Sequence, residues 1–255
     1  MKRLMVAFLI SVLVVFSLIH EAKAFDYSAY DQILKQYVDE RGLIDYNGIA
    51  RDRRFAEYMK SLESTEVEEL SVDGQLAFWI NAYNAVTIDK VIKTKPKKSV
   101  RKTFVPGVWT STKFFTTRKH VVAGKRVSQD DIEHEILRKK FNDPRMHFAI
   151  VCASLGCPPL ARTAYTEENV RTQLEAEARK YLNSERGIRT DQAEKTIYVS
   201  RIFDWFGEDF VEKSGSILEF IRPYLTEEDA SFLDRKPKID FLDYNWALNA
   251  KEPLK

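Results

Sequence analysis

The chain has 255 residues, with 40 Lys or Arg, 38 Asp or Glu and a formal net charge of +2. Its 44% hydrophobic and 12% aromatic content excludes intrinsic disorder. The near balance of charge excludes a general nucleic-acid binder, which needs a positive surplus.

The first 24 residues read as a leader. Lys2 and Arg3 precede an apolar run from Leu4 to Ile19, and Ala22-Lys23-Ala24 is a small-residue cleavage signal before Phe25. The run is shorter than the roughly 20 residues a membrane-spanning helix needs. The expectation is therefore removal, with residues 25–255 exported to the periplasm or secreted as a single domain. The leader holds three of the basic residues and one of the acidic ones, so 37 of each remain and the mature charge is zero.

Tyr30, Ile33, Leu34, Tyr37 and Val38 recur at helical spacing before Gly42, and Arg51 to Leu62 continues as a second helix. Ser71 opens a long helix that is apolar around most of its circumference, as a core helix is, and Pro96 ends it. Asn81 and Asn84 lie three apart on one face of it. From Lys93 to Val127 there are eleven Lys or Arg and no acid, with Phe104, Trp109, Phe114 and Phe115 interspersed. This basic segment, 93–126, is a candidate for contact with an anionic surface. The plainer alternative is that the upstream acids Glu63, Glu66, Glu68, Glu69 and Asp73 neutralise it.

Residues 114–127 read as a hairpin turning at Ala123-Gly124. Ser128 and Asp131 mark the cap of a helix carrying Glu133 and His134. Met146 to Cys152 is a short apolar run after an Asp-Pro turn, and a buried strand is expected there. Thr166 precedes an amphipathic helix ending near Leu182. Ile188–Arg189 and Thr196–Val199 form a second hairpin. Short helices run from Asp204 to Leu233, and Ile239 to Trp246 is a last strand. Helices first and strands later predict an α+β fold, its helical N-terminal part packed on a mostly antiparallel sheet.

FWINAYNAVTI (78–88), IEHEILR (132–138), DPRMHFAIVCASLGCPPL (143–160), SRIFDWFGEDF (200–210) and DYNWALN (243–249) follow one another in this order. Together, over about residues 70–249, they resemble the family named only domain of unknown function 547. The resemblance implies which residues travel together and assigns no reaction, substrate or cofactor.

Cys152 and Cys157 are the only cysteines. Three readings stand open. A disulfide needs Cα atoms within about 7 Å, whereas five extended residues span about 16 Å, so a staple requires Ala153 to Gly156 to fold back. A metal site needs three or four ligands, and the pattern lacks a second cysteine pair and an H-E-x-x-H. A nucleophilic thiol needs a base. His134 with Glu133 as orienter, and Asn81 or Asn84 as carbonyl donor, would complete the parts of a thiol hydrolase or transferase acting on a cell-envelope amide or ester. The alternative is that these polar residues form a buried network in a non-catalytic binding or scaffold module. No Gly-rich phosphate loop or G-x-S-x-G motif is present, and no cofactor is assigned.

Overall fold

The computed structural model describes residues 24–100 and 111–255. The expected leader, apart from Ala24, and Phe104 and Trp109 of the basic segment lie outside the described residues. Helix α1 (Ser28–Tyr37) is followed by α2 (Tyr46–Arg51), which the periodicity did not mark. The Asp45 carboxylate caps α2 by accepting from Gly48 N at 2.7 Å. Helix α3 spans Arg53–Glu63 and α4 spans Val72–Thr94. Ser71 Oγ accepts from Gly74 N at 3.0 Å to start α4. Lys95, left-handed at φ 44°, stops it before Pro96. Every residue from Gly74 to Val91 is buried, because α4 is wrapped by α2, α3, α6 and the helix that carries Glu133.

Helix α5 (Ser111–Thr116) occupies the start of the expected first hairpin, leaving β1 (His120–Val122) and β2 (Lys125–Val127) around Ala123-Gly124. That turn docks on the end of α3 through Ala123 N to Leu62 O and Gly124 N to Glu63 O, both 2.8 Å. Ser128 and Asp131 cap each other: Asp131 N donates to Ser128 Oγ at 3.1 Å and Ser128 N to Asp131 Oδ2 at 2.8 Å. The helix they open, Asp131–Phe141, is wound as a π-helix. That wide winding is rare and is frequent at functional sites.

Residues 146–152 are not a strand. Pro144–Phe148 is a 3-10 turn, and the apolar run beyond it is held by side chains instead of a ladder. Helix α6 (Val170–Leu182) leads to β3 (Ile188–Asp191) and β4 (Thr196–Val199), the expected second hairpin. Helices α7 (Ile202–Trp205), α8 (Gly207–Ser214), α9 (Ile217–Ile221) and α10 (Glu227–Leu233) intervene before β5 (Lys238–Phe241). This helical crossover returns the chain in the same direction, so β5 pairs parallel with β4. The fold is α+β, with a two-stranded antiparallel sheet and a three-stranded mixed one in place of one mostly antiparallel sheet. One apolar core surrounds α4, and a second gathers Phe148, Phe203, Phe210 and Phe220. Among the described residues no helix is long and apolar enough to cross a membrane.

Several charges of the basic segment and of the upstream acids have other partners. Lys93 meets Asp89 at 2.7 Å and Arg118 meets Asp131 at 2.5 Å. Of the acids, Glu68 meets Lys140 at 3.2 Å and Asp73 meets Arg171 at 2.8 Å.

Candidate functional site

Cys152 and Cys157 sit in a loop that doubles back. Ala153 takes the left-handed conformation at φ 60°, which draws the two Cα atoms to 6.2 Å and the sulfurs to a bonded 2.11 Å. The C-terminal segment straps this loop down. Leu155 N donates to Ala247 O and Gly156 N to Asn245 O, each at 2.7 Å. A Cβ on Gly156 would come within 2.9 Å of Asn245 N and the Tyr244 ring, so only glycine admits the strap. The strap delivers the Tyr244 hydroxyl to 3.1 Å from each sulfur and 3.2 Å from Ser154 Oγ. Burial pushes the Tyr244 hydroxyl well above the usual phenol range, against the lowering effect of Ser154.

A cleft of about 400 Å³ opens beside the pair, lined by Cys152, Cys157, Glu133, His134 and His147 and walled by aromatic rings. The 3-10 turn aims His147 inward, stacked on Phe206 at 4.2 Å between centroids. Its Nε2 donates to Asp209 Oδ2 at 2.7 Å, and its Nδ1 faces Glu133 Oε1 at 4.0 Å. Asp209 also accepts two bonds from Arg138, at 2.6 and 2.7 Å. Burial raises the Asp209 carboxyl, but the His147 and Arg138 bonds outweigh it and hold the group well below the ordinary range. Burial lowers His147, and Asp209 partly restores it. The Glu133 side chain is only 13% exposed. Burial pushes its carboxyl from 4.5 up to about 7, against the opposing Tyr83 hydroxyl, which donates to Oε2 at 3.1 Å, and the Arg138 charge.

Of the expected site residues, Cys152, Glu133 and His134 meet in this cleft. Glu133 does not orient His134. The two are consecutive on a helix and project apart, and Glu133 is engaged by Tyr83 and faces His147. His134 Nδ1 accepts from Arg138 Nη1 at 2.9 Å, which leaves its proton on Nε2, 3.7 Å from Asp130. Asn81 and Asn84 do not line the cleft. Asn81 clamps Tyr165, donating to its carbonyl at 2.7 Å and accepting from its amide at 3.1 Å. Asn84 donates to Ala149 O and accepts from Val151 N, both at 2.9 Å. Each amide is engaged by backbone through one donated and one accepted bond, away from the cleft, so neither is placed as a carbonyl donor to a substrate there.

Tyr83, His147, Asp209 and Tyr244 are the site residues that sequence reasoning missed. The signal for three of them was their place inside the motifs at 78–88, 200–210 and 243–249. His147 lies inside the motif at 143–160, where the expected buried strand made it a core residue. Among the described residues no group of three or more His, Cys, Asp or Glu is placed to hold a metal ion.

The Asp209 junction sets a stability expectation. Asp209→Asn leaves Arg138, whose side chain is 26% exposed, without its counter-ion. Breaking a buried pair costs about 3–5 kcal/mol, and partial exposure at this site brings the expected loss to about 2–3 kcal/mol. Urea unfolding of the variant against the parent measures it, and an unchanged midpoint would show the junction to be energetically idle.

Residues 67–182 match the profile of a family described as "Protein of unknown function, DUF547". The motifs at 78–88, 132–138 and 143–160 fall within the match, and those at 200–210 and 243–249 lie beyond it, although the fold brings both to the cleft. No curated protein and no solved structure matches the chain.

Proposed function

We propose, from the premise that this chain belongs to the DUF547 family and that the family carries no assigned reaction, that the cleft is a thiol-dependent hydrolase or transferase centre acting on an amide or ester. One observation carries this reading. A cysteine sulfur and a buried carboxyl balanced near neutral pH line the same cleft, and perturbed groups of this kind cluster at catalytic sites. Glu133 takes the proton-accepting role in place of His134, whose Nδ1 lone pair is occupied by Arg138. The Cys152–Cys157 bond must first be reduced. A dithiol supplies two electrons and two protons, one proton to each sulfur, and leaves as its disulfide.

The Cys152 thiol then gives its proton to ionised Glu133, and the sulfur adds to the substrate carbonyl carbon. The C–N or C–O bond breaks, the departing nitrogen or oxygen takes the proton, and water or another nucleophile cleaves the thioester. The leader-like pattern of residues 1–24 supports export, and with it a substrate in the cell envelope.

A second reading is a non-catalytic binding or scaffold module with the cysteines as a staple. It is favoured by the bonded sulfurs and by the burial of Cys157, 3% exposed. One experiment separates the two. Release of nitrophenol or nitroaniline from activated acyl substrates is followed with and without dithiothreitol, beside a thiol titration of the denatured protein. The catalytic reading expects turnover only after reduction, a loss of at least about 100-fold in Cys152→Ser, and a rate that rises through about pH 7 as Glu133 ionises. Equal rates with and without reductant, unchanged in Cys152→Ser, would leave the staple.

A further inference from the structure

We propose that the cleft selects a ligand carrying an alkylammonium group, held against an aromatic wall and two carboxylates. This rests on the proposed function only in calling that ligand a substrate. The walls are Tyr83, Phe115, Trp205, Phe206, Tyr244 and Trp246. Trp205, Tyr244 and Trp246 form a mutually packed group, with centroids 4.8 Å apart for Trp205–Tyr244, 5.5 Å for Trp205–Trp246 and 4.5 Å for Tyr244–Trp246. Trp205 is 43% exposed at the cleft, an unusual placement for an indole that serves only packing. The face of such a ring carries negative potential and attracts a cation within about 6 Å.

The charges agree with the rings. Asp130 and Glu133 line the cleft, and among the described residues no lysine or arginine does, in a chain with 40 of them. Arg138, the guanidinium beside the site, is turned to Asp209 by two hydrogen bonds and lies over Phe206 at 5.4 Å. Among the described residues, an anionic ligand would find two carboxylates and no lysine or arginine in the wall. A neutral sugar could stack on the indoles, but it would leave the charge of Glu133 uncompensated in an apolar wall. An ammonium ligand supplies the missing counter-ion and covers the ring faces together.

The groups facing Glu133 define how binding couples to protons. Tyr83 comes from α4, His147 from the 3-10 turn, Asp209 from α8, Tyr244 from the C-terminal strap, and Asp130 and Arg138 from its own helix. Burial raises the Glu133 carboxyl to about 7, so this carboxyl changes charge between pH 6 and 8; burial holds His147 below its ordinary range, and His134 lines the same cleft. A bound cation favours the ionised carboxylate, so binding expels a proton and tightens as pH rises through about 7.

The test compares choline with its uncharged isostere 3,3-dimethylbutan-1-ol, and with chitobiose, by isothermal titration calorimetry on the full chain at pH 6 and pH 8. Choline is expected to saturate and to bind at least about tenfold more tightly than the isostere. It is expected to bind more tightly at pH 8 than at pH 6. Trp205→Ala and Trp246→Ala are each expected to weaken it by about fivefold or more, and Glu133→Gln to abolish the pH dependence. Equal binding of choline and isostere, binding of chitobiose alone, or no saturable binding of choline overturns the inference. Binding is read as heat and turnover as released chromophore, so either reading can fail while the other stands.

Discussion

Asn84→Leu is expected to lower the midpoint of thermal unfolding by about 10 °C or more. Asn84 is 1% exposed and does for residues 149–151 what a neighbouring strand would otherwise do. Its amide donates to Ala149 O and accepts from Val151 N, each at 2.9 Å. Leucine has the same branching and number of side-chain heavy atoms but offers neither group, so a buried carbonyl and a buried N–H are left without partners. Each unpaired group costs about 1–3 kcal/mol, and the pair together about 2–6 kcal/mol. A chain of this size loses about 2–4 °C for each kcal/mol.

The effect reaches the site, because Val151 immediately precedes Cys152. Asn84→Leu is therefore expected to loosen the cysteine loop as well as the core. Faster alkylation of the reduced thiols in the variant would register this. Differential scanning calorimetry checks the first part, and an unchanged midpoint would mean that residues 149–151 find their partners elsewhere.

Where the sequence was legible, a local rule matched a local structure. Helix α4 could be read because Ser71 caps it, Pro96 follows its end and its whole circumference is apolar. Both hairpins could be placed because their turns are short and marked by residues such as Ala123-Gly124. The polar exceptions in α4 were visible as exceptions, but their partners were not. Asn81 reaches Tyr165 across 84 positions and Asn84 reaches Val151 across 67. The strand expected at 146–152 failed for the same reason. An apolar run with turn signals at its ends satisfies the strand pattern, while a single distant amide supplies the hydrogen bonds that a ladder would have given. The site shows this most plainly. His147 meets Asp209 over 62 positions, Glu133 meets Tyr83 over 50, and Tyr244 meets Cys152 over 92. Composition located Cys152, Glu133 and His134, and only the fold could determine which of them act together.

Glu133→Gln is expected to stabilise the protein at pH 8 by about 2–3 kcal/mol and to change it little at pH 4.5. The sign follows from the direction of the shift. The carboxyl is raised from 4.5 to about 7 in the folded protein, so the folded state holds its proton more tightly than the unfolded chain does. The parent is therefore favoured while both states are protonated, loses stability as pH rises from about 4.5 to about 7, and is level above that. Each unit of separation is worth about 1.4 kcal/mol, and the 13% exposure of the side chain calls for only a modest discount. Glutamine keeps the shape and an acceptor for the Tyr83 hydroxyl, and it has no charge to bury. Asp89, Asp143 and Asp209 are held below their ordinary values, so their contributions fade only at lower pH. His147, lowered by burial, loses its contribution as pH falls. These contributions are shared by parent and variant, so the difference between the two curves isolates Glu133. Guanidinium unfolding at a series of pH values measures it, and parallel curves with no gap opening between pH 4.5 and 7 would show that Glu133 ionises as an ordinary surface acid. A variant that gains stability at pH 8 while losing the rate that rises through pH 7 would identify the buried carboxyl as a charge kept for proton transfer at the expense of the fold.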